Sequence, residues 1–272
     1  MNRTSILGRK PPDIGKRVII VVLTLTPMLL TTQHAHAQDA GKILKLMSDY
    51  VTGQKTTSMT FDSDIEVITA ELQKIQFTGS GQVLLNRPDK LRATRTGGYS
   101  DVELVFDGKA ATLLGKNVNA FAQVDAPGSV DQLIDRLRER KVAIPGADLL
   151  LSRVYEELTA GVIDSKHIGQ GVIDGVECEH LAFRTADVDW QLWVEVGGRP
   201  IPRKYVITSK AVTGAPQYTL RIKDWKRDVQ IAADAFAFKQ PPDARKVDLT
   251  ALREIDEIPP GRASVQASGA KR

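Results

Sequence analysis

The stretch VECEHLAFRTADVDWQLWVEVGGRPIPRKYVITSK, from Val176 to Lys210, constrains the chain more than any other. Its pattern predicts three consecutive antiparallel strands, Val176 to Arg184, Val188 to Val196 and Pro202 to Lys210. Trp190 and Trp193 are three residues apart on the middle strand, so they face opposite sides of the sheet. A sheet with a large apolar ring on each side needs cover on both, from helices, a second sheet or a bound apolar molecule. Gly197-Gly198 supplies the positive φ of a tight turn. Pro200 and Pro202 lack N–H donors and suit a strand start or a sheet edge.

Period-two alternation recurs upstream. Met59, Phe61, Ile65 and Val67 alternate with polar residues, and Leu72 to Leu85 continues as a longer strand in which Gly79 and Gly81 read as a bend or bulge. After the turn Asn86-Arg87-Pro88-Asp89 comes a short basic strand, Leu91 to Thr96. Asp107-Gly108 joins Val102 to Phe106 with Ala110 to Leu114, and Val118 to Val124 follows. Strands resume at Val162, and Gln217 to Trp225 is the last clear one.

Three stretches have helical spacing. Asp39 to Thr52 puts Ile43, Leu44, Met47 and Tyr50 on one face and is closed by Gly53. Ser129 and Gln132 form a capping box before the stripe Val130, Leu133, Ile134 and Leu137, with the charged run Arg136 to Lys141 as its wet face. Pro145-Gly146 opens another helix, whose apolar face is Leu150, Leu151, Val154, Tyr155 and Leu158. Two long strand runs interrupted by helices predict an α+β fold. The expected architecture is a strongly curved, mostly antiparallel half-barrel of about eleven strands with helices over its concave side.

Charge narrows the function classes. The formal net charge is +4, yet Arg3, Arg9, Lys10, Lys16 and Arg17 against Asp13 account for all of it. The remainder is balanced, which argues against a nucleic-acid surface. The same basic segment leads into an apolar run, Val18 to Leu30, and then Ala35-His36-Ala37, the order of a secretory signal peptide. The run is short for a bilayer span and contains Pro27. Residues 1–37 therefore read as a leader cleaved after Ala37, residues 38–248 as a single domain, and residues 249–272 as a disordered tail rich in proline, glycine and alanine. The expected location is the periplasm. No cysteine near the cut offers a site for lipid attachment. The one cysteine, Cys178, has no partner for an internal disulfide.

Catalytic signals are sparse. Cys178 and His180 share one side of a strand and read either as a thiolate–imidazole pair or as a buried cysteine beside a hydrogen-bonded histidine. Too few ligand-type residues cluster for a zinc site. Asp187 with Asp189, and Glu177 with Glu179, are carboxylate pairs with no evident cleft. No Gly-x-Ser-x-Gly, Walker loop, dinucleotide fingerprint or HExxH is present. The expectation is a protein with no cofactor and no enzymatic activity.

The runs VIDGVECEHLAF and DVDWQLWVEVGGRPIPRKYVITSK, with ELVFDGKAATLL and FAQVDAPGSVDQLIDRL upstream, resemble a family of bacterial predicted periplasmic proteins, domain of unknown function 2092. The resemblance spans about Lys42 to Asp248. That family is similar to the outer-membrane lipoprotein-carrier fold (LolA/LolB-like), a half-open curved sheet plugged by helices. The resemblance implies binding of a lipid, a fatty acyl chain or a lipoprotein between sheet and helices, with transient membrane contact. The ligand-binding candidates are Trp190, Trp193, Leu133, Leu137, Leu150 and Val154. Lipoprotein carriers also use an arginine to hold the lid closed, and no arginine here aligns with that role. The alternatives are an envelope enzyme centred on Cys178 and His180, and a partner-binding scaffold without a ligand.

Overall fold

The computed structural model describes residues 31–140, 142, 144–249 and 252, with side chains from Asp39 onward. The basic leader and the end of the tail lie outside the described residues. Helix α1 (Thr31–Thr52) is followed by six strands: β1 (Thr56–Ile68), β2 (Lys74–Asn86), β3 (Lys90–Gly97), β4 (Asp101–Phe106), β5 (Ala110–Gly115) and β6 (Ala120–Asp125). Helix α2 (Val130–Glu139), a 3-10 turn (Ala147–Leu150) and helix α3 (Val154–Thr159) interrupt the strands. Strands β7 (Asp164–Ile173), β8 (Val176–Arg184), β9 (Val188–Glu195), β10 (Pro202–Ser209), β11 (Gln217–Arg227) and β12 (Arg245–Lys246) complete the elements of the described residues.

All twelve strands belong to one sheet, in the order β12-β6-β5-β4-β3-β2-β1-β11-β10-β9-β8-β7. Only β12 on β6 is parallel, so the fold is α+β with a mostly antiparallel sheet. The twelfth strand was not expected: two residues with no apolar alternation carry no strand signal. The strong curvature expected of a half-barrel is not shown by the pairing. The order is linear, the end strands β12 and β7 do not pair, and the sheet is open rather than strongly curled. Register shifts, which would bend it, occur in only three strand pairs, at Met59/Phe61, Pro202/Lys204 and His167/Gly169.

Gly79 and Gly81 do not form the expected bulge. Strand β2 runs in unbroken register against both β1 and β3. The bulge lies in β1 against β11, and Gly81 instead makes room: a Cβ there would sit 2.2 Å from the Thr94 carbonyl oxygen and 2.4 Å from Phe61 Cζ. The Asp107-Gly108 turn forms as its residues dictate. Gly108 has φ +88°, and Asp107 Oδ1 accepts from the amides of Lys109 and Ala110 at 2.9 and 2.8 Å.

The three helical pieces lie on one face of the sheet and share its core. Helix α1 buries Ala40, Leu44, Met47 and Val51 and packs on β7, β8 and β9. The capping box of α2 forms, with Ser129 Oγ accepting from the Gln132 amide and Gln132 Oε1 accepting from the Ser129 amide. The helix expected from Pro145 to Gly161 is broken at Leu151–Arg153. There the Ser152 amide and hydroxyl both donate to the Asp131 carboxylate, at 3.0 and 2.6 Å, which pulls the chain out of helical hydrogen bonding. Among the described residues no helix is long and apolar enough to cross a membrane.

Candidate functional site

Strand β9 sorts its two tryptophans onto opposite faces, as their spacing requires. Trp190 turns toward the helices and is 1% exposed. It stacks on Phe183 at 4.0 Å and meets Tyr205 edge-on at 5.9 Å. Across this aromatic layer lie buried side chains of the helical segment: Leu133 and Ile134 from α2, Leu149 and Leu151 around the 3-10 turn, and Val154 and Leu158 from α3. Leu137 and Leu150 pack on the same cluster from its rim, only partly buried. Five of the six candidate residues thus belong to the one continuous apolar core that sheet and helices share. Trp193 does not join them. It stands half-buried on the far face, stacked on His180 at 4.0 Å, with Lys204 Nζ 4.9 Å from its ring centroid.

The helical segment is fastened at its rim by charges. Arg138 donates to Glu157 Oε1 at 2.8 Å and to Asp148 Oδ1. Arg153 donates to both oxygens of Asp135, at 2.7 and 2.9 Å, and lies 3.4 Å from Asp131 Oδ2. The Asp135 hydrogen bond raises the Arg153 pKa above its ordinary value. The run Arg136 to Lys141 is therefore not simply a wet face, because Arg138 links α2 to both the 3-10 turn and α3. Beneath it, the Tyr205 hydroxyl donates to Asp148 Oδ2 at 3.4 Å, and burial, then Asp148, push the phenol well above its ordinary pKa.

One tie connects this cover to a turn at the end of the sheet. Arg87, in the turn between β2 and β3, donates Nη1 to the Leu150 carbonyl at 2.7 Å. Its guanidinium is buried, desolvation lowers its pKa, and its Nε has no partner among the described residues. Sequence spacing could not single out this arginine, because its acceptor is a main-chain oxygen with no residue-type signature.

The alternative centre is dispersed. Cys178 is buried, and its thiol is directed to the Val176 carbonyl at 3.4 Å. Burial raises its pKa, which disfavours the nucleophilic thiolate. His180 pairs with Gln191 Oε1 at 2.9 Å, and burial lowers its pKa. The neighbouring acids are engaged elsewhere. Asp189 pairs with Arg184 and Lys210, and Glu179 with His167 and Gln170. Among the described residues no group of three His, Cys, Asp or Glu is placed to hold a metal ion.

Comparison with solved structures gives distant likenesses to this fold. LprF from Mycobacterium bovis is 13% identical, with a TM-score of 0.45 over 72% of this chain and 97% of that one. The MucA/MucB complex of Pseudomonas aeruginosa is 11% identical, with a TM-score of 0.42 over 74% of this chain and 61% of the other. A putative outer membrane lipoprotein-sorting protein domain from Vibrio parahaemolyticus is 9% identical, with a TM-score of 0.34 over 74% and 97%. No curated protein matches the sequence. A family model matches residues 40–250, most of the chain, and by that match the protein belongs to the predicted periplasmic protein family DUF2092.

Proposed function

We propose that the protein is an exported, non-enzymatic carrier that shelters an apolar ligand, a lipid or the acyl chain of an acylated protein, between the sheet and the segment α2–α3. The observation that carries this reading is the construction of that segment. It covers the sheet with apolar side chains, among them Leu133, Leu137, Leu150 and Val154, and polar contacts fasten its rim. Polar fastenings can open without unfolding the sheet, and the surface uncovered would be lined by Trp190, Phe183 and Tyr205.

The proposal includes a moderate bend of this open sheet toward its helices, short of the strong curl of a half-barrel. One continuous core draws side chains from β1 to β5 and from β8 to β11 onto α1, α2 and α3. Nine strands laid flat would span about 38 Å at the usual spacing. A ten-residue helix such as α2 is about 15 Å long, so bending is the simple way to gather those strands around it. The family description and the basic, apolar leader support a periplasmic location after cleavage behind Ala37.

The test is titration of the mature protein with fatty acids, phospholipids and acylated peptides while following tryptophan emission. At least one class should bind and shift or quench that emission. Leu137→Glu, at the rim, should weaken binding far more than Ala263→Glu in the tail. Absence of binding above background, with the layer under α2 and α3 remaining packed, would replace the carrier by a partner-binding scaffold.

A further inference from the structure

Strand β2 is longer than its neighbour on one side. It has 13 residues against 8 in β3, and their pairing stops at Gly79 opposite Gly97. Lys74 to Thr78 remain paired with β1 alone. The alternation of an antiparallel ladder fixes which of their backbone groups are occupied. The Thr69 amide bonds to the Gln73 carbonyl at the hairpin end, so Ile75 and Phe77 exchange hydrogen bonds with Val67 and Ile65. The N–H and C=O of Lys74 and Gln76 then point the other way, where β3 has ended. Among the described residues nothing pairs with them there.

That open edge forms one wall of a cleft of about 340 Å³, lined by Ile75, Phe77, Gly97, Gly98 and Tyr99 among others. Phe77 and Tyr99 meet edge-on at 5.6 Å, and Tyr99 is 53% exposed. The opposite wall is fixed in place. The Gly97 amide donates to the Ser100 carbonyl at 2.8 Å, and Asn117 Nδ2 holds the Tyr99 carbonyl at 3.1 Å. Ser100 is buried, and Arg95 reaches its hydroxyl at 3.3 Å. The glycines leave the floor low, and a Cβ on Gly98 would meet nothing within 4 Å.

We propose that this cleft binds an extended polypeptide segment of a partner protein, which adds as a short strand beside Lys74–Thr78 and places an apolar or aromatic side chain against Phe77 and Tyr99. Unpaired donors and acceptors repeating every second residue match a polypeptide in strand conformation, and an acyl chain has nothing to pair with them. The free edge accommodates about five residues at roughly 3.3 Å each. Lys74 is already paired with Glu66 at 3.0 Å, so the cleft asks for no charged side chain at that point. This binding is independent of the carrier reading, because the peptide needs no acyl group and the cleft lies outside the layer under α2 and α3.

The experiment titrates the full mature chain with a capped, unacylated peptide, Thr-Val-Phe-Val-Thr, and follows amide resonances and hydrogen exchange. Gln76 and Gly98 should shift, and the Lys74 and Gln76 amides should exchange more slowly, with resonances of α2 and β9 unchanged. Gln76→Pro removes a donor that faces the cleft while sparing the β1 ladder, and should weaken binding roughly fivefold to tenfold. Tyr99→Ala should weaken it by a similar factor. The same peptide N-methylated at alternate residues should not bind. If Gln76→Pro does not fold, Tyr99→Ala and the N-methylated peptide carry the test. The proposal is overturned if the peptide shifts no cleft resonance at millimolar concentration, if the N-methylated peptide binds equally, or if myristate produces the same shifts.

Discussion

Replacing Gly81 with alanine tests the packing at the centre of the sheet, with Gly79, two residues earlier on the same strand face, as its control. At Gly81 a Cβ would lie 2.2 Å from the Thr94 main-chain oxygen and 2.4 and 2.7 Å from two atoms of the Phe61 ring. The ring can turn aside, but the oxygen belongs to the paired strand and can retreat only if β2 and β3 separate locally by about 1 Å. Overpacking of this kind costs about 1–3 kcal/mol, and alanine recovers about 0.5–1 kcal/mol of it through lower chain entropy than glycine. The expected net loss for Gly81→Ala is about 1–2 kcal/mol, or about 2–8 °C in Tm for a domain of this size. At Gly79 the nearest atoms to a Cβ are 3.4 and 3.5 Å away, so Gly79→Ala should be neutral or stabilising by up to about 1 kcal/mol. Urea denaturation of both variants, with unchanged slopes, measures the difference. Adding Phe61→Leu to Gly81→Ala should restore only part of the loss, because the Thr94 oxygen remains. A Gly81→Ala protein as stable as the parent, or a Gly79→Ala protein that loses as much, would refute the reasoning.

Other expectations follow from single contacts. N-terminal sequencing of the envelope form should begin at Gln38 or within a residue or two, and a full-length species in the inner membrane would contradict it. Cys178→Ser should cost about 1–2 kcal/mol of stability and leave ligand binding intact, and loss of function in a folded variant would revive the thiol chemistry. Arg87→Met should speed amide exchange in the 3-10 turn and α3 about tenfold by freeing the Leu150 carbonyl. It should move the global midpoint little, because methionine avoids the desolvation of a buried guanidinium. His180 is held below its ordinary pKa of 6.5 mainly by burial, so the unfolded chain takes up its proton first as pH falls. Its contribution to stability is complete above about pH 6.5 and declines below it toward the lower folded pKa, so His180→Gln should show a smaller loss of stability than the parent from pH 7 to 5. Equal losses would exclude the effect.

What could be read from the sequence was local. The capping box at Ser129 and Gln132, the Asp107-Gly108 turn and the opposite facing of Trp190 and Trp193 each depend on residues a few positions apart. Features set by distant pairs were misread or missed. The helix from Pro145 breaks because Asp131, in a different helix, captures Ser152. Gly81 looked like a bulge because the crowding comes from Phe61 and Thr94 on the two neighbouring strands. The apolar stripes over α2, the 3-10 turn and α3 identified Leu133, Leu137, Leu150 and Val154 as core-facing. The ties that fasten those helices, from Arg87, Arg138 and Arg153, needed coordinates to be seen.

The position of β1 in the strand order has a consequence for how the chain reaches its native state. Strand β1 lies between β2 and β11, with Thr57 opposite Arg227. The seam joining the two halves of the sheet therefore closes only after the chain has returned from its far end. Contacts of such wide sequence separation slow folding, because the intervening loop must be ordered before they form. Strand β6 waits in the same way for Arg245 and Lys246 to pair along its outer side. A chain that appears N-terminus first has its first six strands available before the partner of their seam exists. The topology delays completion of the core until the C-terminal strands arrive.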